Sequence, residues 1–350
     1  MKSKLLLSTV ALLLVASLVI AGCAPAAPPA APPAAPPAAP AEKPIVLKVG
    51  HYSGTYDARH TAWLHWGELV KERSGGQVEF EVHPASTLVG IVGQVAAMRD
   101  GLVDMTPTYA GTNPEFSFCA DVATIVVPHD WEKTVAFGKE YTALVQPRFK
   151  ALGLRAIWFQ DVSYDQEWWF KDPVVPGTGG DLMRGKMIRS IGPAPDDLIK
   201  HLGGSACQIP GGEFYTAAQQ GTVDGCTFGT PTHAGLGFWP VMGNMVLAKM
   251  FTGGPFFSIT LDAWNGLTPE LQKILQETGD ETCAWFKEPY EEANHIYVGE
   301  GCFKYGGTVY TLTKKERQIW LDAAAPWNDQ MRQKWPELFP AFEAICKKYS

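Results

Sequence analysis

The most informative side chain for chemistry in this sequence is an arginine at the end of a predicted strand. Arg189 lies in the segment Met187–Ser190, whose composition predicts a short strand. In open α/β sheets, ligands bind beyond the carboxyl ends of the strands, and a guanidinium there offers two parallel donors to a carboxylate. The position indicates either a carboxylate-binding site or an ordinary surface arginine, and the spacing alone leaves both open.

Signatures of catalysis are missing from the rest of the sequence. It contains no Gly-x-Ser-x-Gly, His-Glu-x-x-His or EF-hand pattern. The run 180–186 resembles the start of a phosphate-binding loop, but a strand follows it where such a loop needs a helix N-terminus. The seven cysteines include no Cys-x-x-Cys pair, and Cys207 and Cys226 are expected to be free thiols in apolar strands, although disulfides stay open. The sequence therefore does not predict an enzyme.

Alternating strands and helices must position Arg189. Their order implies a mostly parallel sheet covered by helices. The predicted elements are strand 45–50, helix 57–73, strand 78–83, helix 91–99, strand 102–106, helix 131–151, strand 154–158, strand 187–190, helix 193–202, strand 206–209, helix 212–220 and strand 222–228. Two further helices are predicted over 269–295 and 314–349, with Pro326 and Pro336 marking bends in the second.

A repeated hexapeptide device indicates two similar lobes. Residues 99–104 and 219–224 both run from a helix end through a glycine into a strand that is entered through Val-Asp. Glycine takes the left-handed conformation that ends a helix. The two copies predict two related α/β lobes, which the long C-terminal helices would brace.

The body of the chain, from about residue 45 to 349, resembles the solute-binding proteins of TRAP transporters, the DctP-type extracytoplasmic receptors. The motifs that carry the resemblance are Gly-Lys-Met-Ile-Arg at 185–189, Leu-Gly-Gly at 202–204, Ile-Pro-Gly-Gly-Glu-Phe-Tyr-Thr-Ala at 209–217, Gln-Gly-Thr-Val-Asp-Gly at 220–225 and Gly-Leu-Val-Asp-Met at 101–105. The Pro-Gly-Gly-Glu form and Leu-Gly-Phe at 236–238 are similar to the subgroup that binds 2-oxo acids, lactate and related monocarboxylates.

The resemblance implies a two-lobed, periplasmic-binding-protein-like α/β fold that closes like a Venus flytrap over one ligand, with long C-terminal bracing helices. It also implies delivery of that ligand to a membrane permease. Lobe one is expected over 44–160 with part of the C-terminal helices, mainly lobe two over 161–265, and the bracing helices over 266–350. The family's carboxylate-pairing arginine falls on Arg189. A ligand sensor for a signalling receptor and an envelope enzyme on the same fold are the alternatives.

The sequence departs from the subgroup where the relatives hold a metal ion. They carry a Glu-Trp pair after the Val-Asp strand, and the Glu helps hold an ion that bridges to the ligand. Here these positions are Thr227 and Phe228. A neutral hydroxyl is a weak ligand for calcium or sodium, so no cofactor is expected. Asp165 or Gln166, just before Trp168-Trp169-Phe170, could restore a metal ligand or could instead meet a polar group on the solute.

Aromatic residues are expected to line the cleft beside Arg189. Tyr52 and Tyr109 follow predicted strands of lobe one, and Phe228 follows the matching strand of lobe two. Phe256 and Phe257 belong either to this wall or to the core. Rings at the cleft favour a solute with an apolar or aromatic body, and the 12 tryptophans point the same way. The predicted ligand is an organic carboxylate that is larger and less polar than pyruvate.

The N-terminal segment predicts export and lipid anchoring in the cell envelope. An apolar run ends at Ile-Ala-Gly-Cys, similar to a bacterial lipobox in which Cys23 is acylated; an uncleaved membrane anchor is the alternative. Residues 1–22 would be the signal peptide, and 23–43 the lipidated cysteine and an Ala/Pro tether of roughly 56 Å. The net charge of -7 argues against nucleic acid. The expected partners are the carboxylate, the permease and, through the lipid, the membrane, with a homodimer left open.

Overall fold

Two β-sheets form the framework of the chain. The computed structural model describes residues 43–109, 113–123, 133–160, 167–190, 192–248, 250 and 254–349. The first sheet has five strands in the order β2-β1-β3-β10-β4, and the second has six in the order β11-β9-β5-β8-β6-β7. The strands are β1 (Ile45–Gly50), β2 (Val78–His83), β3 (Met105–Thr108), β4 (Leu154–Phe159), β5 (Glu167–Phe170), β6 (Met187–Arg189), β7 (Ser205–Cys207), β8 (Gly225–Phe228), β9 (Asn244–Leu247), β10 (Phe256–Thr260) and β11 (Val309–Thr311).

Helices cover both sheets. They are α1 (Ala58–Arg73), α2 (Gln94–Arg99), α3 (Ser117–Ala123), α4 (Thr134–Ala151), α5 (Pro193–His201), α6 (Gly211–Gln219), α7 (Thr230–Gly235), α8 (Leu261–Asn265), α9 (Pro269–Tyr297), α10 (Lys314–Lys334) and α11 (Leu338–Tyr349). A π-helical segment, Val298–Phe303, continues α9. None of the helices in the described ranges is long and apolar enough to cross a membrane.

The prediction of one helix over 314–349 was wrong. Helix α10 ends at Lys334, and Trp335 has φ −130° and ψ 63°, outside the helical region. Trp335 precedes Pro336, and the proline ring disfavours a helical conformation in the residue before it. The break starts a new helix, α11. Pro326, in contrast, lies inside α10.

Each sheet contains one strand that runs against its neighbours. Strand β10 is antiparallel to β3 and β4, and β5 is antiparallel to β8 and β9, whereas the other pairs are parallel. These two strands follow the points where the chain passes between sheets, from β4 to β5 and from β9 back to β10. The sheets are therefore mixed, where the strand–helix alternation predicted a mostly parallel sheet.

The hexapeptide device forms the same structure in both lobes. The glycine of each copy ends its helix with positive φ, 70° in the first copy and 75° in the second. In the first lobe, Lys48 N–H donates to the Asp104 carboxylate at 2.7 Å, and Asp104 N–H donates to the Lys48 carbonyl at 2.8 Å. Met187 and Asp224 repeat both bonds in the second lobe, each at 2.8 Å. The aspartate thus fastens the start of one parallel strand, β3 or β8, to the neighbouring parallel strand, β1 or β6.

The C-terminal helices contact both lobes. Helix α9 packs on α1 of the first lobe and on α7 of the second. The Trp66 indole of α1 donates to the Thr278 hydroxyl of α9 at 3.1 Å. Helix α10 packs on α5 of the second lobe, and α11 packs on α4 of the first. These contacts place helical braces along both sheets, as the hexapeptide repeat and the long C-terminal helices predicted.

Candidate ligand-binding site

Arg189 lies at the carboxyl end of β6 and is held by backbone carbonyls. Its Nε donates to Ile209 O at 3.1 Å, and its Nη1 donates to Thr227 O at 2.8 Å. The guanidinium carbon lies 3.7 Å from the centre of the Phe228 ring. Within the described ranges, no acidic side chain pairs with Arg189. Burial lowers the pKa of Arg189 to about 10, so the group is still a cation at neutral pH.

This environment leaves one edge of the guanidinium for a ligand. The Phe228 ring is fixed by Phe214 and Phe238, with both ring centres 5.1 Å away. The ring covers one face of Arg189, and the carbonyls occupy Nε and Nη1. Nη2 makes no hydrogen bond to the part of the chain that the structure describes. A half-buried cation with no counter-charge favours an anion, and a carboxylate fits this edge.

A second polar cluster lies at the strand ends of the first lobe. Arg59 is 2% exposed, and its Nε and Nη2 donate to the two carboxylate oxygens of Asp57 at 2.8 and 2.6 Å. Its Nη1 donates to the Tyr109 hydroxyl at 2.6 Å. The Tyr52 ring meets the Tyr109 ring edge-on, with 5.4 Å between centres. The structure thus brings Tyr52 and Tyr109 together on an arginine that the sequence reasoning did not select.

The sequence predicts only part of this cluster, namely that Asp57 starts a helix. Asp57 was expected to start a helix, and it is the N-cap of α1, accepting from the Arg59 amide N–H at 2.9 Å. The same carboxylate also binds the Arg59 side chain. An Asp-x-Arg triplet at the start of α1 was the available signal. A surface N-cap and a buried ion pair look alike in sequence, since only tertiary packing decides the burial.

Two histidines adjoin this cluster. His51 follows β1 and is fully buried, and its Nε2 lies 3.2 Å from His60 Nδ1. Burial, and then the proximity of His60, lower the pKa of His51 to about 4. Burial lowers the pKa of His60 as well. Both imidazoles are therefore neutral at neutral pH.

Of the remaining predicted site residues, the structure describes Thr227 but not Asp165 or Gln166. Thr227 is fully buried in β8 opposite Trp168, and its hydroxyl has no hydrogen-bond partner among the described residues. Among the described residues, no group of three or more His, Cys, Asp or Glu side chains could hold a metal ion. A buried neutral hydroxyl does not fit a calcium or sodium site. Asp165, Gln166 and Cys23 lie outside the described residues.

Fewer aromatic residues lie at the candidate site than the sequence analysis considered. Phe256 and Phe257 are buried in the core of the first lobe, where Phe257 stacks on Trp158 at 3.7 Å. Apart from Trp131, which lies outside the described residues, every tryptophan is buried or half-buried. The tryptophan content therefore reflects core packing and gives no information on the solute. The aromatic rings that follow strand carboxyl ends are therefore those of Tyr52, Tyr109 and Phe228.

The two cysteines near Arg189 are free thiols. Cys226 is fully buried and Cys207 is half-buried, and neither forms a disulfide. Burial raises the pKa of both thiols, more strongly at Cys226. Neutral thiols supply no counter-charge to Arg189.

Two α/β lobes, long bracing helices and a half-buried arginine at a strand carboxyl end define a solute-binding protein of the periplasmic type. The model of the family "bacterial extracellular solute-binding protein, family 7", known as DctP, matches residues 49–334. The chain therefore belongs to this family. Its members bind solutes outside the cytoplasm, so the prediction of a binding protein rather than an enzyme is confirmed.

Individual relatives are distant. The C4-dicarboxylate-binding protein DctB of Bacillus subtilis is 22% identical over 291 residues, which cover 81% of each chain. The uncharacterized protein y4mM of Sinorhizobium fredii is 28% identical over 241 residues, 66% of this chain but only 40% of that protein. A TRAP periplasmic solute-binding protein of Desulfovibrio salexigens, solved with bound orotic acid, superposes with a TM-score of 0.73 at 22% identity and covers 87% of this chain and 99% of its own. The two-lobed fold is thereby confirmed.

Proposed function

We propose that this chain is a lipid-anchored TRAP receptor for an organic carboxylate with an apolar or aromatic body, such as a monocarboxylate or a 2-oxo acid. The observation that carries the proposal is the charge of Arg189. This half-buried cation has no acidic partner in the described residues and is held by two carbonyls and one ring. An incoming carboxylate supplies the missing counter-charge through charge-assisted hydrogen bonds.

The aromatic residues favour an apolar body on the ligand. Phe228 lies against Arg189, and Tyr52 and Tyr109 lie at the matching edge of the other lobe. Such rings bury apolar surface but leave few polar groups for a sugar or a second carboxylate. The orotate of the Desulfovibrio protein is a carboxylate on a flat ring, whereas the Bacillus relative is named for C4-dicarboxylates. Both kinds of acid therefore belong in a binding screen.

The proposed mechanism uses two states of the receptor. In an open state the cleft admits the ligand, and in the closed state both lobes contact it. Arg189 would anchor the carboxylate on the second lobe, and Tyr52 and Tyr109 would complete the site from the first. Closure removes water from the ion pair, which strengthens it. The closed, loaded receptor would then deliver the ligand to the TRAP permease, whose ion gradient supplies the energy.

The proposed anchor lies at the N-terminus. Cys23 in its lipobox-like context would carry the lipid, and the Ala/Pro-rich segment to residue 43 would separate the receptor from the membrane. Metabolic labelling with a palmitate analogue tests the anchor, since Cys23→Ser would abolish the label.

Native mass spectrometry of the protein as purified tests the ligand class, because a retained carboxylate is identified by its mass. Isothermal titration calorimetry with phenylpyruvate, 4-methyl-2-oxopentanoate, pyruvate, orotate and succinate follows. We expect Arg189→Ala to abolish detectable binding and Arg189→Lys to weaken it at least about 30-fold, roughly 2 kcal/mol, since an ammonium cannot replace the fork.

Lys186→Ala is the matched control, because it removes a cation beside the same strand. The control should bind like the wild type, and all variants should retain their melting temperature within a few degrees. Unchanged affinity in a folded Arg189→Ala variant would refute the proposed role of Arg189.

A further inference from the structure

A cavity of about 330 Å³ lies between helix α9 and the β9–β11 edge of the second sheet. We propose that it is a second small-molecule site and that it binds a monoamine, with one ammonium group on a short apolar or aromatic body. Its volume is at the lower end of the range of ligand pockets and fits a small solute. The described residues that line it do not include Arg189 or any ring of the candidate carboxylate site. The inference therefore goes beyond the proposed function and does not rest on it.

One wall of the cavity is an apolar face of the second sheet. Met245 and Leu247 are two residues apart in β9, so their side chains leave the same face of the sheet. Val309 of β11 lies beside Met245 in the register of these parallel strands and shares that face. Val298 and Phe303 of the π-helical segment complete the apolar lining, and Phe303 is 63% exposed, which places it at the opening. This wall suits a hydrocarbon or aromatic body.

The opposite wall is one face of α9 and carries a carboxylate. Glu291, Asn294 and His295 are spaced by three and four residues, which places them on one side of the helix. Glu291 is half-buried and forms no ion pair or hydrogen bond with the residues that the structure describes. The exposed His295 does not pair with it, and no lysine or arginine belongs to the described lining. A half-buried carboxylate beside apolar surface favours a ligand that brings a positive charge.

Two further lining residues carry polar atoms without hydrogen-bond partners. Neither Nδ2 nor Oδ1 of Asn294 has a partner among the described residues, and neither has the hydroxyl of Thr230 at the start of α7. These atoms are buried, where an unmade hydrogen bond costs free energy. The terminal torsion of an amide is broad, so Asn294 can turn its oxygen toward the cavity. The carboxylate of Glu291, the amide oxygen and the hydroxyl then offer one acceptor to each of the three protons of an ammonium.

Calorimetry with two probes of the same shape tests the preference for a positive charge. The probe 2-phenylethylamine carries an ammonium, and 2-phenylethanol replaces it with a neutral hydroxyl. We expect the amine to bind with a dissociation constant below about 1 mM, and the alcohol to bind at least about 10-fold more weakly. Arg189→Ala should leave the amine affinity unchanged. Failure of the proposed carboxylate function would therefore appear in the carboxylate titrations and not in these.

The methyl group of Met245 reports whether the amine occupies this cavity. Met245 is 3% exposed and lines the cavity, whereas Met98 lies in the core of the first lobe. Both methyl signals can be assigned in isotope-labelled protein by replacing each methionine with leucine. We expect 2-phenylethylamine to shift the Met245 signal with the affinity found by calorimetry and to leave the Met98 signal unchanged.

Substitutions on α9 test the polar wall. Glu291→Gln keeps the shape of the side chain but removes its charge, so it should weaken the amine at least about 10-fold and leave the alcohol unchanged. Glu292→Gln is the matched control, because it removes the same charge from an exposed position of the same helix. Asn294→Leu should weaken the amine several-fold but raise the melting temperature of the free protein, because it removes an unpaired buried amide.

Each of four results would overturn the inference. The first is equal affinity for the amine and the alcohol, or no binding of either. The second is an unchanged Met245 signal at saturating amine. The third is an equal effect of Glu291→Gln and Glu292→Gln on the amine affinity. The fourth is an unchanged amine affinity in Asn294→Leu, since the amide would then have no part in the site.

Discussion

Arg189 at the end of β6 and Arg59 in the first turn of α1 have opposite electrostatic environments. Arg59 is bound to the Asp57 carboxylate, so its charge is compensated within the fold. Among the residues that the structure describes, Arg189 meets neutral carbonyls, a ring and two thiols whose pKa values are raised, and no acidic side chain. A buried cation without a counter-charge costs free energy until an anion arrives. The contrast supports the proposed role of Arg189 in ligand binding.

The sequence indicated only Arg189 of these two arginines as a candidate site residue. Arg189 could be selected because it follows a predicted strand within a family motif. Arg59 could not, because its partners Asp57 and Tyr109 are joined by tertiary packing, and Tyr109 is 50 residues away in the chain. For Thr227, the residue type alone argued against a metal site, because a neutral hydroxyl is a weak metal ligand.

Buried histidines make the stability of the chain depend on pH. Burial is the main cause that lowers the pKa of His51 to about 4 and that of His233 to about 3. In the unfolded chain both titrate near 6.5, so below that pH the unfolded state binds more protons and is favoured. We expect the free energy of unfolding to fall by about 2 kcal/mol per histidine between pH 7 and pH 5. Urea unfolding at several pH values measures this slope.

His233 provides the variant for that experiment. Its ring stacks on Trp169 at 3.9 Å, and its Nε2–H donates to Met242 O at 2.8 Å. In His233→Gln the amide can keep a donor but does not titrate, so the slope between pH 7 and pH 5 should decrease. The wild-type chain, measured over the same pH range, is the reference for this slope. A slope in His233→Gln equal to that of the wild type would contradict the assignment.

At the scale of elements, the sequence predicted a helix or strand boundary correctly where the backbone conformation requires a particular residue type. The helix–glycine–strand device was visible because it needs a glycine with positive φ and an aspartate just before the next strand. Strands β9, β10 and β11 were not predicted. They are three to five residues long, and the buried β9 and β10 show no alternation of polar and apolar residues, so no periodicity marks them. Their places in the sheets are set by long-range pairing.

The aspartate of this device should control how firmly β6 holds Arg189. Asp224 accepts the Met187 N–H two residues before Arg189, whereas Asp104 makes the same bond to Lys48 in β1. We expect Asp224→Ala and Asp104→Ala each to lower the free energy of unfolding by about 1 kcal/mol, the net value of one such bond. Only Asp224→Ala should in addition weaken ligand binding several-fold at a temperature where both variants are folded.

Calorimetry on the two variants with the same carboxylate makes the comparison direct. Asp104→Ala serves as the matched control, because it breaks an equivalent bond in the lobe without Arg189. Equal losses of affinity would show that the device stabilises the fold without positioning the site.

At the scale of the whole molecule, Tyr56 joins the rims of the two lobes. Tyr56 belongs to the loop between β1 and α1, and its carbonyl accepts from the Tyr297 hydroxyl of α9 at 2.9 Å. Its ring lies over the end of α7 in the second lobe, where a Cβ on Gly235 would come within 2.2 Å of the Tyr56 hydroxyl oxygen. The same loop runs from Tyr52 to Asp57, so the rim contact and the proposed site share a short segment.

A side chain at Gly235 should therefore favour the open receptor. In Gly235→Val the Tyr56 ring must leave the surface of α7, and the closed state loses that packing, whereas the open state is unaffected. Apparent affinity falls in proportion to the closed fraction, so we expect weaker ligand binding through faster dissociation, by several-fold. Small-angle scattering should give a larger radius of gyration with subsaturating ligand, and surface plasmon resonance should give the rates.

Gly212→Val is the matched control, because it also lies in a helix of the second lobe but has no neighbouring atom within 4 Å of its Cβ position. Identical dissociation rates for the two variants would show that the rim contact has no part in closure.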